Sequence, residues 1–147
     1  MSASTVYEVV GSRPVSRSQL AHRVALVGVA LAAAFLLFFR LADYPAPWYD
    51  EGSHLHVAKN YALNGIYADY SSEGLRYYGP AIAVGPTVLL PISAVFEVFG
   101  ISIPLARVVI AVYGLLALAA LYGLGRQLLN PWPALAAVVL LLVSPGV

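Results

Sequence analysis

The chain has 147 residues, of which 61% are apolar and only 10% charged; its formal net charge is +1 and it has no cysteine. A soluble domain carries about 25% charged and about 45–50% apolar residues, so lipid is the solvent that such a composition suits. The scattered basic residues exclude a nucleic-acid partner, and the lack of thiols excludes a disulfide framework, a thiolate zinc site and a cysteine nucleophile.

Residues 1–23 are polar and hold Arg13, Arg17 and Arg23 against the single acid Glu8. They read as a disordered tail, and their arginines place that tail on the cytoplasmic side of a first span. Val24 to Phe39 then runs without a charge, about 24 Å of helix at 1.5 Å per residue. Arg23 and Arg40 bracket it and can snorkel to the two interfaces. A cleaved signal peptide is the rival reading, but the Asp43-Tyr44-Pro45 stretch has no small-x-small cleavage site, so a retained span over 24–41 is expected.

Residues 42–80 carry Asp43, Asp50, Glu51, Asp69 and Glu73, and seven of the ten tyrosines. With a cytoplasmic tail this segment opens an extracytoplasmic loop, 42–104. A short helix is predicted from about Glu51 to Leu63, with Asp50 capping its start and Asn64-Gly65 ending it. Lys59 and Asn60 read as a solvated face, and the tyrosines as interfacial anchors. Residues 81–99 are apolar but broken by Gly85-Pro86 and Pro91. Two readings stand: an interfacial helix over 87–99, with Glu97 as an interfacial acid, or a kinked span. The first is preferred; it puts Arg107 outside and Arg126 inside, in a turn. A second span follows over 105–125. An incomplete third runs over 131–147, and the stop at Ser144-Pro145-Gly146-Val147 suggests a piece of a longer protein. The expected class is an all-α, multi-pass membrane protein.

The chemistry-bearing stretch is Trp48-Tyr49-Asp50-Glu51, two adjacent carboxylates just outside the first span. Charged groups so close to lipid are candidates for function, and such a carboxylate can deprotonate an acceptor hydroxyl. The alternative is structural: Asp50 as N-cap and Glu51 as a first-turn acid. His54 lies one turn from Asp50 and could meet it. His54 and His56 point about 200° apart on a helix, so one ion cannot easily take both.

A span, an Asp-Glu pair and a helix ending in Asn64-Gly65 resemble the start of the GT-C glycosyltransferases related to protein O-mannosyltransferases. The similarity is nearest to the aminoarabinose transferases, whose first periplasmic loop carries an Asp-Glu motif and two juxtamembrane helices. Gly74-Leu75-Arg76-Tyr77-Tyr78 is similar to the family's segment between those helices. Phe99-Gly100 and Leu105-Ala106-Arg107 are similar to its second helix end and the approach to the next span. The resemblance covers about 24–147, a partial GT-C-like transmembrane domain. It implies Asp50 as catalytic base with Glu51 beside it. Its donor is a polyprenyl-phosphate-linked sugar, consumed at the outer face of the inner membrane in contact with membrane lipid. The candidate substrate contacts are Arg76, for the donor phosphate, and Tyr77 and Tyr78, whose rings can stack on a sugar. The chain departs from the aminoarabinose pattern: Tyr78-Gly79-Pro80 and Val84-Gly85-Pro86 offer neither the acid nor the lysine of Glu-Lys-Pro, and Ser53 replaces an arginine. The reaction is metal-assisted or metal-independent by subfamily, and this chain identifies no metal ligand.

The expected function is therefore transfer of a sugar from a polyprenyl phosphate to a lipid, glycan or protein acceptor. Two spans and part of a third are too few to enclose a lipid donor, so this length alone is expected to be inactive. The alternative is a non-enzymatic membrane protein, a transporter fragment or an assembly subunit. Transporters place ionisable groups near the bilayer midplane, whereas here the acids cluster beside the spans.

Overall fold

The structure, a computed structural model, describes residues 16–43, 45–71, 74–77 and 84–144. It is mostly helical. The elements are α1 (Arg17–Phe38), α2 (Tyr49–Asn64), β1 (Ala68–Ser71), β2 (Gly74–Tyr77), α3 (Pro86–Phe99), α4 (Ile103–Leu128) and α5 (Pro131–Leu142).

α1 starts seven residues ahead of the expected span, so residues 17–23 are helix and not tail. The cause is local: the Ser16 hydroxyl accepts from the Gln19 N–H, and the Gln19 side chain accepts from the Ser16 N–H. This capping box satisfies two donors that a helix start leaves open. The helix ends at Phe39, and Arg40 takes a left-handed φ of 55°.

α1 and α4 are 22 and 26 residues long, about 33 and 39 Å at 1.5 Å per residue. Both are long and apolar enough to cross a bilayer core of about 30 Å. Their most apolar windows are only 6% and 17% buried. Leu20, Val24, Leu31 and Phe35 on α1, and Leu116 and Leu124 on α4, are all exposed. A helix apolar on all sides suits the interior of a large core or a membrane, and here protein covers only a small part of either helix.

α2 begins at Tyr49, and Trp48 is its N-cap residue without a side-chain cap. Asp50 therefore sits inside the first turn, which corrects its expected place as the cap. At the other end Gly65 adopts φ 68° and returns its N–H to the Tyr61 carbonyl at 2.8 Å. Glycine takes that conformation without a Cβ clash. The chain then turns into an antiparallel hairpin, pairing Ala68 with Tyr77 and Asp69 with Arg76. The all-α expectation is corrected here. Asn60, expected on a solvated face, is buried: its amide donates to the carbonyls of Ile66 and Ala68 at 3.1 and 2.8 Å and ties the hairpin to α2. Lys59 is exposed, as expected.

α3 has Pro86 in its first turn, where no N–H is missed, and Pro91 inside. Pro91 cannot bond the Thr87 carbonyl four residues back. The Tyr113 hydroxyl of α4 donates to that carbonyl at 2.6 Å instead. Gly100, at φ 92°, and the Ser102 cap turn the chain sharply into α4. α3 thus doubles back along the first turns of α4, with its start level with Tyr113. In this arrangement α3 packs against both α2 and α4. At 14 residues, about 21 Å, α3 is still too short to cross a bilayer core.

Two apolar clusters hold the elements together. Val57 and Ala58 of α2, Leu89, Ile92 and Phe96 of α3, and Ala106 and Val109 of α4 form the first. Ala33, Leu118 and Val138 join α1, α4 and α5 in the second. At the far end of these helices His22 bonds the Tyr122 hydroxyl at 2.7 Å and meets the edge of Trp132. That end therefore gathers the start of α1, the end of α4 and the start of α5.

Candidate active site at the head of α2

The first turn of α2 carries Asp50 and Glu51, and about 100° of helical rotation separates neighbours. The two carboxylates therefore face different surroundings. Glu51 turns toward α4 and meets Arg107, whose Nε and Nη2 donate to Oε1 and Oε2 at 2.7 Å each. Nη1 of the same guanidinium donates to the Leu41 carbonyl just beyond α1 at 2.9 Å. One arginine thus joins the end of α1, the start of α2 and the first turns of α4. A two-point arginine–carboxylate fork is among the stronger protein hydrogen-bond arrangements. The Arg107 hydrogen bonds hold the Glu51 carboxyl below its ordinary pKa. Partial burial opposes the shift, while the Arg107 charge and the Trp48 backbone add to it.

Asp50 is exposed, and Oδ2 accepts from the Trp48 indole N–H at 3.3 Å. His54 does meet Asp50, but through the Asp50 backbone carbonyl. Asp50 is thus the carboxylate that faces outward, while its neighbour is committed to the scaffold.

The other expected site positions fall elsewhere. Arg76 and Tyr77 lie on β2, opposite Asp69 and Ala68, and Tyr78 lies outside the described residues. His56 Nδ1 lies 3.2 Å from Asp69 Oδ1. Lys59 is about two and a half turns beyond Asp50, which puts it on the opposite side of the helix. The register therefore sets Arg76 opposite Asp69 on the hairpin that follows α2, away from Asp50 at the head of that helix. Among the described residues no group of three potential metal ligands comes together. Glu97 is exposed near the end of α3.

The role of Arg107 as the partner of Glu51 was missed from sequence, although its position at the head of a span was noted. A lone cation there is costly without a counter-charge, which is the signal that could have suggested an acid as its partner. The buried Ser93, whose hydroxyl donates to the Ala58 and Leu89 carbonyls at 2.9 and 2.8 Å, gave no signal.

Fold and site together define a mostly helical chain with two helices able to cross a membrane and a short helix bearing one outward and one engaged carboxylate. Set against known proteins, the chain matches no family model, no curated protein and no solved structure.

Proposed function

We propose that this chain belongs to a multi-pass glycosyltransferase of the cell inner membrane, with its N-terminus cytoplasmic and α2 on the extracytoplasmic side. The enzyme moves a sugar from a polyprenyl phosphate to a hydroxyl of a lipid, glycan or protein acceptor. One observation carries the reading: of the two carboxylates, Glu51 is bound by Arg107 and Asp50 faces outward.

In this reaction Asp50 takes the proton of the acceptor hydroxyl. The hydroxyl oxygen forms the new bond to the anomeric carbon. The bond from that carbon to the phosphate oxygen breaks, and its electron pair leaves with the polyprenyl phosphate. Glu51 and Arg107 position α2 and do not touch the reacting atoms. Arg76, Tyr77 and Tyr78 remain proposed substrate contacts.

The test is Asp50→Asn in the whole open reading frame, reconstituted in proteoliposomes with a polyprenyl-phosphate sugar. Loss of a general base lowers the rate about 10²–10⁴-fold. Loss of a first-turn charge costs only about 0.3–1 kcal/mol of stability. A folded variant with normal turnover would leave Asp50 a helix-start acid and remove the assignment.

A further inference from the structure

A shallow hollow of about 250 Å³ opens where α2 meets the α3–α4 turn. Leu55, Phe96, Ile101 and Ile103 supply its apolar wall, while His56 and Lys59 supply its polar edge. His56 and Lys59 also line a second hollow of about 180 Å³, beside Asn60 and Tyr70. The two hollows share one rim, so they form a groove with apolar and basic character along its length.

The charges on this rim are unequal. Lys59 is exposed and has no ion pair among the described residues. Asp69 is the nearby acid, and it is turned inward: 15% of its side chain is exposed, against 42% for its partner His56. The rim therefore presents an ammonium with no ion pair among the described residues, beside a carboxylate that is less exposed than the neighbouring imidazole. Beside it in the same hollow stand Ile101 and Ile103, both exposed, at the head of a helix able to cross a membrane. A cation above exposed apolar side chains at a span's end matches an anionic headgroup above its acyl chains.

We propose that this groove holds an anionic phospholipid, with its phosphate on Lys59 and an acyl chain along Phe96, Ile101 and Ile103. The site is separate from Asp50. A helix about 10 Å across lies between them, so a donor phosphate in this groove could not present its sugar to Asp50. The inference requires only that α4 lies in a bilayer, and it stands apart from the transferase reading.

The experiment is thermal unfolding of the purified protein in neutral detergent, titrated with phosphatidylglycerol, with phosphatidylcholine of the same chains, with inorganic phosphate and with polyprenyl phosphate. Phosphatidylglycerol is expected to raise the Tm saturably and phosphatidylcholine to do so much less. Lys59→Gln removes a charge-assisted contact and is expected to weaken the phosphatidylglycerol effect roughly tenfold in apparent affinity. Arg40→Gln, which removes a different exposed cation, is expected to leave it unchanged. Equal responses to both phospholipids, or a Lys59→Gln titration matching the parent, would overturn the proposal. So would an equal effect of inorganic phosphate, which identifies a free-anion site. Displacement of phosphatidylglycerol by equimolar polyprenyl phosphate would also overturn it, by assigning the groove to a polyprenyl lipid.

Discussion

Arg107 and Glu51 stand 56 positions apart in the chain and meet in a two-point ion pair, with the guanidinium 8% and the carboxylate 25% exposed. Such a pair matters most when it is broken, because one charge is left without its partner in a partly dry site. The same guanidinium also holds the Leu41 carbonyl, so its loss loosens α1 and α2 together.

Arg107→Ala is expected to cost about 3 kcal/mol, the low end for a buried pair because Glu51 keeps some solvent. Arg107→Lys recovers little of this, since lysine keeps the charge but not the fork. The pair also sets an acid dependence. The folded pKa of Glu51 lies below its ordinary value of 4.5. Its stabilisation is therefore complete above that value and is lost as the pH falls through the folded pKa. Unfolding in detergent between about pH 6 and about pH 3 should show this loss, and Glu51→Gln should flatten that part of the curve. An unchanged acid slope in Glu51→Gln would refute the linkage.

Tyr113→Phe leaves the Thr87 carbonyl without its donor, with an expected cost of about 0.5–1.5 kcal/mol for this exposed bond. The cause lies in Pro91, so Pro91→Ala restores a backbone N–H to that carbonyl. In the Pro91→Ala background the Tyr113→Phe penalty should shrink, which a double-mutant cycle measures directly. The same penalty in both backgrounds means that the hydroxyl serves some other purpose.

Topology is open to thiol labelling because the chain has no cysteine to confuse it. Arg13, Arg17 and Arg23 favour a cytoplasmic N-terminus. In intact cells an impermeant reagent should label Ser71→Cys and spare Ser2→Cys. The reverse pattern inverts the topology and places Asp50 on the wrong side for an extracytoplasmic reaction.

The two long helices were legible because a charge-free run such as Val24–Phe39 leaves one solution in lipid, a helix with its own hydrogen bonds satisfied. The end of α2 was legible for a similar local reason, since Gly65 announces a left-handed closing residue. What the sequence hid depends on distance. Asn60 looks solvated beside Lys59, and only the returning hairpin, with its Ile66 and Ala68 carbonyls, explains why it is buried. Asp50 and Glu51 were visible as a pair of acids. Their division into an outward and an engaged carboxylate depends on Arg107, which no local pattern connects to them. α3 itself was legible to within one residue, 87–99 expected against Pro86–Phe99 found; what stayed hidden was Tyr113, which satisfies the carbonyl that Pro91 frees.

At Gly125 a Cβ would come within 2.9 Å of the Ala134 Cβ and 3.2 Å of its Cα. The backbones of α4 and α5 thus touch across a nine-residue separation, around a turn containing Asn130 and Pro131. Contacts this local close early, because little loop entropy opposes them. The Glu51–Arg107 pair spans six times that length, so it can form only after α4 has reached its place. The order of assembly follows: α4 and α5 close first as a local hairpin, and the head of α2 is drawn onto α4 afterward. Until then Arg107 lacks its counter-charge, so the step that assembles the head of α2 is also the one that neutralises the guanidinium at the start of α4.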